Sequence, residues 1–325
     1  MKGAMIDNRV KFRHLQTFVE VARQKSVMKA AELLSVSQPA VTKTIRELEE
    51  VLGVDVFERD GRGIKITRYG EVFLRHAGAA LTALRQGLDS VTQERFGDGP
   101  PIRVGALPTV STRIMPRAMG LFLKEGTGSR IKIVTGENAV LLEQLRVGDL
   151  DLVVGRLAAP DKMTGFSFEH LYSEQVVFVV RAGHPLLSAT VSIFNTIGDY
   201  PVLMPTRASI IRPFVEQFLI ANGVGRLPNQ IETVSDAFGR AFVRASDAVW
   251  IISAGVVAAD IEDGILAALP IDTVETRGPV GLTMRTDAVP SLPQTILMQT
   301  IREAAREVSE GAMGASDGLT HARRS

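Results

Sequence analysis

With 325 residues, 45% hydrophobic and 22% charged, the chain is long enough for two or more globular domains, and no apolar run is long enough to suggest a membrane span. The net charge of +1 hides an asymmetry: residues 1–75 carry 14 Lys/Arg against 10 Asp/Glu, a weak pointer to an anionic partner at the front end. The absence of cysteine excludes disulfides, thiolate metal sites and a cysteine nucleophile; with no apolar signal-peptide core in the opening residues, a cytoplasmic protein is expected.

The first helical pattern, "FRHLQTFVEVARQKS", places Leu15, Phe18, Val19 and Ala22 on one face. Ser26 is an N-cap candidate for "VMKAAELLSV", whose Ala30 and Ala31 let another helix approach closely. Ser37 caps the next helix, and Pro39 sits in its first turn, where a missing N–H is harmless. Val41, Ile45, Leu48 and Leu52 then form a buried stripe, which leaves Gln38, Thr42, Lys43 and Arg46 facing outward. Two short helices with a polar N-terminal face on the second predict a helix-turn-helix. Its second helix enters the major groove, where Gln reads adenine and Lys or Arg reads guanine or holds phosphate. A merely solvated face is the plain alternative for such a pattern. "VDVFERDGRGIKITRYG" follows as two short strand runs about Asp60-Gly61, with Arg59, Arg62, Lys65 and Arg68 clustered on this wing.

Thr67 is the N-cap candidate of a long helix carrying Phe73, Ala77, Leu81, Leu84, Leu88 and Val91 at steps of 4, 4, 3, 4 and 3. This narrow, near-heptad stripe reads as a dimer seam on a helix roughly 43 Å long. "FGDGPP" ends it as a linker.

From Ile102 onward, apolar strand runs such as "IRVGAL", "IKIVTG", "LDLVVG", "QVVFVVR", "YPVLMP", "AVWIIS" and "GPVGLTM" alternate with helical patterns. That alternation predicts mostly parallel sheets covered by helices, in two α/β subdomains with a ligand cleft at the strand ends. Those ends are polar: Pro108, Thr109, Ser111 and Thr112; Thr135, Glu137 and Asn138; Arg156; Thr206 and Arg207; and Ser253. Hydroxyls, helix N-termini and two arginines suit a small carboxylate-bearing molecule, although helix capping alone would account for many of these hydroxyls. No cofactor or metal is expected. His14, His76, His170, His184 and His321 are scattered, and no phosphate loop or nucleophile elbow appears, so catalysis is not expected.

"AAELLSVSQPAVTKTIRELEEVLGVDVFER" followed by "ITRYGEVFLRHA" resembles the DNA-binding domain of the LysR-type transcriptional regulators, with Thr42 where the family more often has serine. "LLEQLRVGDLDLVVG" is similar to the effector-domain pattern of that family. The resemblance implies a multidomain α/β fold: an N-terminal winged helix-turn-helix over residues 1–66, a dimerisation linker helix over 67–96 and a hinge at 97–101. The effector domain that follows resembles periplasmic binding proteins, with subdomain I at 102–180 plus 273–308, subdomain II at 181–272 and a disordered tail at 309–325. It implies Ser37, Gln38, Pro39, Thr42, Lys43, Arg46, Arg62 and Lys65 as DNA-binding residues. The expected partners are promoter double-stranded DNA, RNA polymerase and copies of the chain itself, as a homodimer assembling to a homotetramer. Longer runs, including "IKIVTGENAVLLEQLRVGDLDLVVGRLAAP" and "RPFVEQFLIANG", resemble those members that activate protocatechuate-degradation operons, which implies an inducer such as carboxymuconate. The alternatives are a regulator of another catabolic operon and a solute-binding protein; the latter would not carry the helix-turn-helix.

Overall fold

The computed structural model describes residues 9–61, 63–96 and 99–322. The first unit is built from α1 (Phe12–Gln24), α2 (Val27–Leu33) and α3 (Gln38–Leu52), with a two-stranded wing of β1 (Phe57–Asp60) and β2 (Gly63–Ile66). Its helices begin where the caps predict. Ser26 Oγ accepts from Lys29 N, and Ser37 Oγ accepts from Ala40 N. Phe18, Val19, Ala30, Ala31, Val41, Ile45 and Leu48 close one apolar core. The wing turns after Asp60, which is the last residue of β1 and still pairs with Gly63, and Gly61 takes the positive φ of 56° that a tight turn asks of glycine. Arg62 itself lies outside the described residues.

Thr67 Oγ1 accepts from Gly70 N and starts α4 (Arg68–Phe96), the long helix the spacing predicts. Its first half is not a free rod. Leu74 and Ala77 join the core of this N-terminal unit, and Val147 of the unit that follows joins that same core. Gly78 admits the backbone at Arg146 and Val147, where a methyl group would collide with the Arg146 carbonyl.

The remainder alternates β3 (Gly99–Ala106), α5 (Pro108–Arg113), α6 (Met115–Lys124), β4 (Ser129–Thr135), α7 (Asn138–Arg146), β5 (Leu152–Arg156) and β6 (Phe166–Glu174). It continues through β7 (Val176–Arg181), α8 (Ile193–Thr196), β8 (Val202–Pro205), α9 (Arg212–Ala221), β9 (Gln230–Thr233), α10 (Asp236–Arg244), β10 (Val249–Ser253), α11 (Ala254–Glu262), β11 (Leu266–Ala268), β12 (Gly278–Arg285) and α12 (Leu292–Ala322). Two five-stranded mixed sheets result, ordered β4-β3-β5-β12-β6 and β11-β7-β10-β8-β9. In each, four strands run in one direction, while β12 in the first and β7 in the second run antiparallel to both strands they pair with. Each sheet has a core on both faces: α5, α6 and α12 on one side of the first and α7 on the other, α9 on one side of the second and α10 with α11 on the other.

Two boundaries differ from expectation. The switch between sheets falls at Gln175, not after residue 180, because β7 pairs with β10 and β11 of the second sheet. The expected hinge at 97–101 is from Gly99 onward part of β3. The last helix, α12, runs to Ala322 from a base anchored by Leu297, Ile301 and Ala305.

Candidate DNA interface and ligand cleft

Burial of Val41, Ile45 and Leu48 rotates the opposite side of α3 outward. Gln38, Pro39, Thr42, Lys43 and Arg46 line one concavity of about 690 Å³ together with Glu47 and Glu50. Ser37 at the start of α3 and Lys65 on the wing are exposed. Glu47 is a residue the outward-face reading missed. Its carboxylate accepts from Arg13 (2.8 Å), lies 3.2 Å from His14 Nε2 and 4.0 Å from Lys43 Nζ. The hydrogen bond from Arg13 and the contact with His14 hold the Glu47 carboxyl below the usual range. The N-terminus of α1 is thereby fixed to the outward face of α3.

A second cavity of about 430 Å³ lies between the two subdomains. Of the strand-end residues, Pro108, Ser111, Thr135, Glu137 and Asn138 line it. Leu107, Gly136, Pro205, Ser209, Ile210, Thr233, Val234, Ser235, Asp236, Ala237, Trp250 and Ile252 complete the wall. Ser235 caps α10 by accepting from Phe238 N, so its hydroxyl is partly committed. Asn138 is buried and donates to the Arg156 carbonyl (3.1 Å), tying the start of α7 to the end of β5. Burial pushes the Asp236 carboxyl up, with Arg240 opposing.

Thr206, Arg207, Arg156, Thr109, Thr112 and Ser253 fall outside this wall. Thr206 reaches it indirectly: its hydroxyl donates to Glu137 Oε1 at 2.9 Å, across the gap between subdomains. Arg212, buried and unforeseen, donates to the Pro205 carbonyl (2.6 Å) and to Glu216 and Glu232, and so holds the β8 end from which Thr206 projects. Arg207 is exposed. Arg156 is only 3% exposed and turns away from the cavity; it donates to the Thr276 carbonyl and stacks 4.8 Å over the Phe214 ring of subdomain II. Gly278 leaves room for that guanidinium, since a methyl group there would overlap it.

Thr109, Thr112 and Ser253 lie instead where α5 of subdomain I meets the start of α11 of subdomain II. Thr109 donates to Glu174, Thr112 donates to the Gly255 carbonyl (3.1 Å), and Ser253 stands at the start of α11. Glu174 also accepts from Gly255 N at 2.5 Å, and burial pushes its carboxyl up while Thr109, Gly255, Arg113 and Arg156 pull it down. Among the described residues, no group of three His, Asp or Glu is suited to a metal ion, and no helix is long and apolar enough to cross a membrane.

A model of the bacterial regulatory helix-turn-helix proteins of the lysR family matches residues 12–71, and a model of the LysR substrate binding domain matches residues 97–306. The chain belongs to the LysR family of transcriptional regulators. It is 75% identical over 307 residues to the HTH-type transcriptional regulator PcaQ of Agrobacterium fabrum, covering 94% of this chain and 99% of that one. It is 33% identical to the regulator YdcI of Escherichia coli, over 93% of this chain and 98% of that one. Among solved structures, full-length LysG of Corynebacterium glutamicum with bound effector arginine superposes with a TM-score of 0.61 at 17% identity, covering 92% of this chain and 99% of that one. Full-length OxyR from Pseudomonas aeruginosa gives 0.58 at 21%, covering 91% and 97%. The architecture is therefore that of a full-length LysR-type, DNA-binding transcriptional regulator: a helix-turn-helix head, a long helix and a two-sheet substrate-binding domain.

Proposed function

We propose that this regulator activates a protocatechuate-degradation operon in response to a small carboxylate of that pathway, such as carboxymuconate. The observation that carries the reading is the 75% identity to PcaQ across nearly the full length of both chains. The cavity supports it in size and in part in chemistry. A volume of about 430 Å³ suits a small acid, and Thr135 and Ser209 offer hydroxyls in a wall shared with the apolar Leu107, Ile210, Trp250 and Ile252. The α3 face, with Gln38, Thr42, Lys43 and Arg46, reads promoter DNA, while Ser37 and Pro39 start that helix at the DNA and Arg62 and Lys65 of the wing hold the backbone. The protein acts by binding, without turnover and without a cofactor, as a homodimer through α4 that assembles to a tetramer and contacts RNA polymerase at the promoter.

The test separates the two sites. Lys43→Ala and Arg46→Ala should each weaken promoter binding in a gel shift by roughly tenfold, the order expected for one good base or phosphate contact. Both variants should keep the wild-type rise in melting temperature with carboxymuconate. Unchanged promoter binding would reject the α3 assignment. A screen of protocatechuate-pathway acids in which none raises the melting temperature would reject the inducer class.

A further inference from the structure

The ligand cavity contains acids and no base. Its two charged lining residues are Glu137 and Asp236, and among the described residues no lysine or arginine lines it. The guanidinium at the end of β5 is taken up elsewhere, since Arg156 donates to the Thr276 carbonyl and stacks on Phe214. An anionic ligand entering this wall as it stands meets carboxylates, and such like-charge contacts are costly where water is displaced.

One of those carboxylates is already engaged across the gap. Glu137 precedes α7 in subdomain I, and its side chain does not cap the helix it starts. It instead accepts from the hydroxyl of Thr206, which follows β8 in subdomain II, at 2.9 Å. That bond joins two separately cored sheets at the cavity, and both groups are half-buried, so neither is locked by packing. The Thr206 donor is held in place from behind, because Arg212 fixes the preceding Pro205 carbonyl. A carboxylate belonging to the protein thus sits on the donor that an acid in the cavity would seek.

We propose that Glu137 is a built-in competitor of the ligand: its carboxylate latches the ligand-free cleft through Thr206, and an anionic ligand binds by taking that hydroxyl and displacing Glu137. This rests on the reading of the inducer as a carboxylate. Specificity follows from it. Only a ligand whose own carboxylate replaces that of Glu137 recovers the bond lost on displacement, and displacement releases a contact between the subdomains at the moment of binding.

The test compares the full-length protein with Glu137→Gln, which keeps an acceptor of the same shape and removes the charge. Carboxymuconate, citrate and the trimethyl ester of carboxymuconate are titrated calorimetrically. At least about fivefold tighter binding of an acid to the variant is expected, with the ester unchanged, because a like-charge repulsion is lost. Thr206→Val should act in the opposite direction on the acids, since the hydroxyl they need is gone; a purely structural contact would move both variants alike. Equal or weaker binding of the acids to E137Q overturns the proposal and makes Glu137 an acceptor for a ligand hydroxyl. Hydrogen exchange on the ligand-free protein supplies an arm that needs no ligand. Amides at 206–211 should exchange at least about threefold faster in Glu137→Ala, with the α9 interior unchanged. Unchanged rates overturn the latch. If neither acid binds any of the chains, the carboxylate reading of the inducer fails, and the exchange arm still decides whether Glu137 holds the cleft.

Discussion

Arg23 Nη2 lies 2.6 Å from Asp149 Oδ1, and this pair joins the last turn of α1 in the reading head to the turn between α7 and β5 in the effector domain. It does not stand alone. Arg85 of α4 donates to the Gly148 carbonyl at 2.8 Å, Arg285 donates to Thr82 of α4 at 3.3 Å, and Val147 packs into the core of the head. The head and α4 therefore meet the first sheet through this short turn and through Arg285 of β12, so a displacement of that sheet is felt directly at α1 and α4.

The charge pair itself contributes little. Its members are 33% and 31% exposed, and an ion pair that open to solvent is worth about 0.5 kcal/mol. A double-mutant cycle of Arg23→Ala and Asp149→Ala, followed by urea unfolding, should return a coupling of that order that fades with salt. A coupling above about 2 kcal/mol would mean that the pair is far better shielded than its exposure implies.

Gly148 carries the packing of the same turn. Its φ is +80°, and a methyl group there would overlap the Thr82 hydroxyl. Gly148→Ala should cost about 2–4 kcal/mol, combining left-handed strain with the collision. Adding Thr82→Ala should recover the collision and leave about 1 kcal/mol of backbone strain. A single variant as stable as wild type would show that α4 and the turn are free to separate.

How much of this is legible in the sequence depends on whether burial leaves a period. Val41, Ile45 and Leu48 are readable because one face of α3 is buried and the other is wet. β6 is not readable: it is an edge strand whose Glu169 and His170 are both exposed, and the alternation breaks where a bulge shifts its register against β12 at Val280/Gly281. α11 escapes for the opposite reason, since Gly255, Val256 and Val257 are all buried and its apolar residues surround it. In the cleft, the strand ends place residues but not the direction of their side chains. Whether Arg156 enters the cavity or turns back to Phe214 is decided by how α9 seats against β5, a contact between residues 58 positions apart that no local pattern encodes. Asp236 and Trp250 reach the cavity wall for the same reason, although Ser235 already marks the start of α10.

Glu174 makes stability depend on pH in a defined direction. Burial raises its carboxyl above the ordinary 4.5, so between that value and the raised one the native state holds a proton that the unfolded chain has lost. Stability from this group therefore falls as pH rises from about 4.5 and levels off above its folded value. Glu174→Gln keeps an acceptor for the Gly255 amide and removes the buried charge. Urea unfolding between pH 4.5 and 8 should show the variant at least as stable as wild type at pH 7, with a flatter profile above 4.5. A variant less stable than wild type at pH 7 would mean that Arg113 and Arg156 outweigh the burial.

The far half of α4 is where assembly should be decided. Leu84 is 47% and Val91 68% exposed, on the same helix whose first half is consumed by the head and the first sheet. Seven residues apart, they repeat at the spacing of a helix-pairing seam, and apolar residues so placed are covered by a second copy of the helix more often than by water. Leu84→Glu and Val91→Glu together put two charges into that seam on each chain, and burying an unpaired carboxylate costs several kcal/mol. Sedimentation velocity at micromolar concentration should show the double variant at lower mass than wild type, with its carboxymuconate-dependent thermal shift retained, because the cleft lies on other elements. A double variant with the mass of wild type would place the dimer contact elsewhere than on α4.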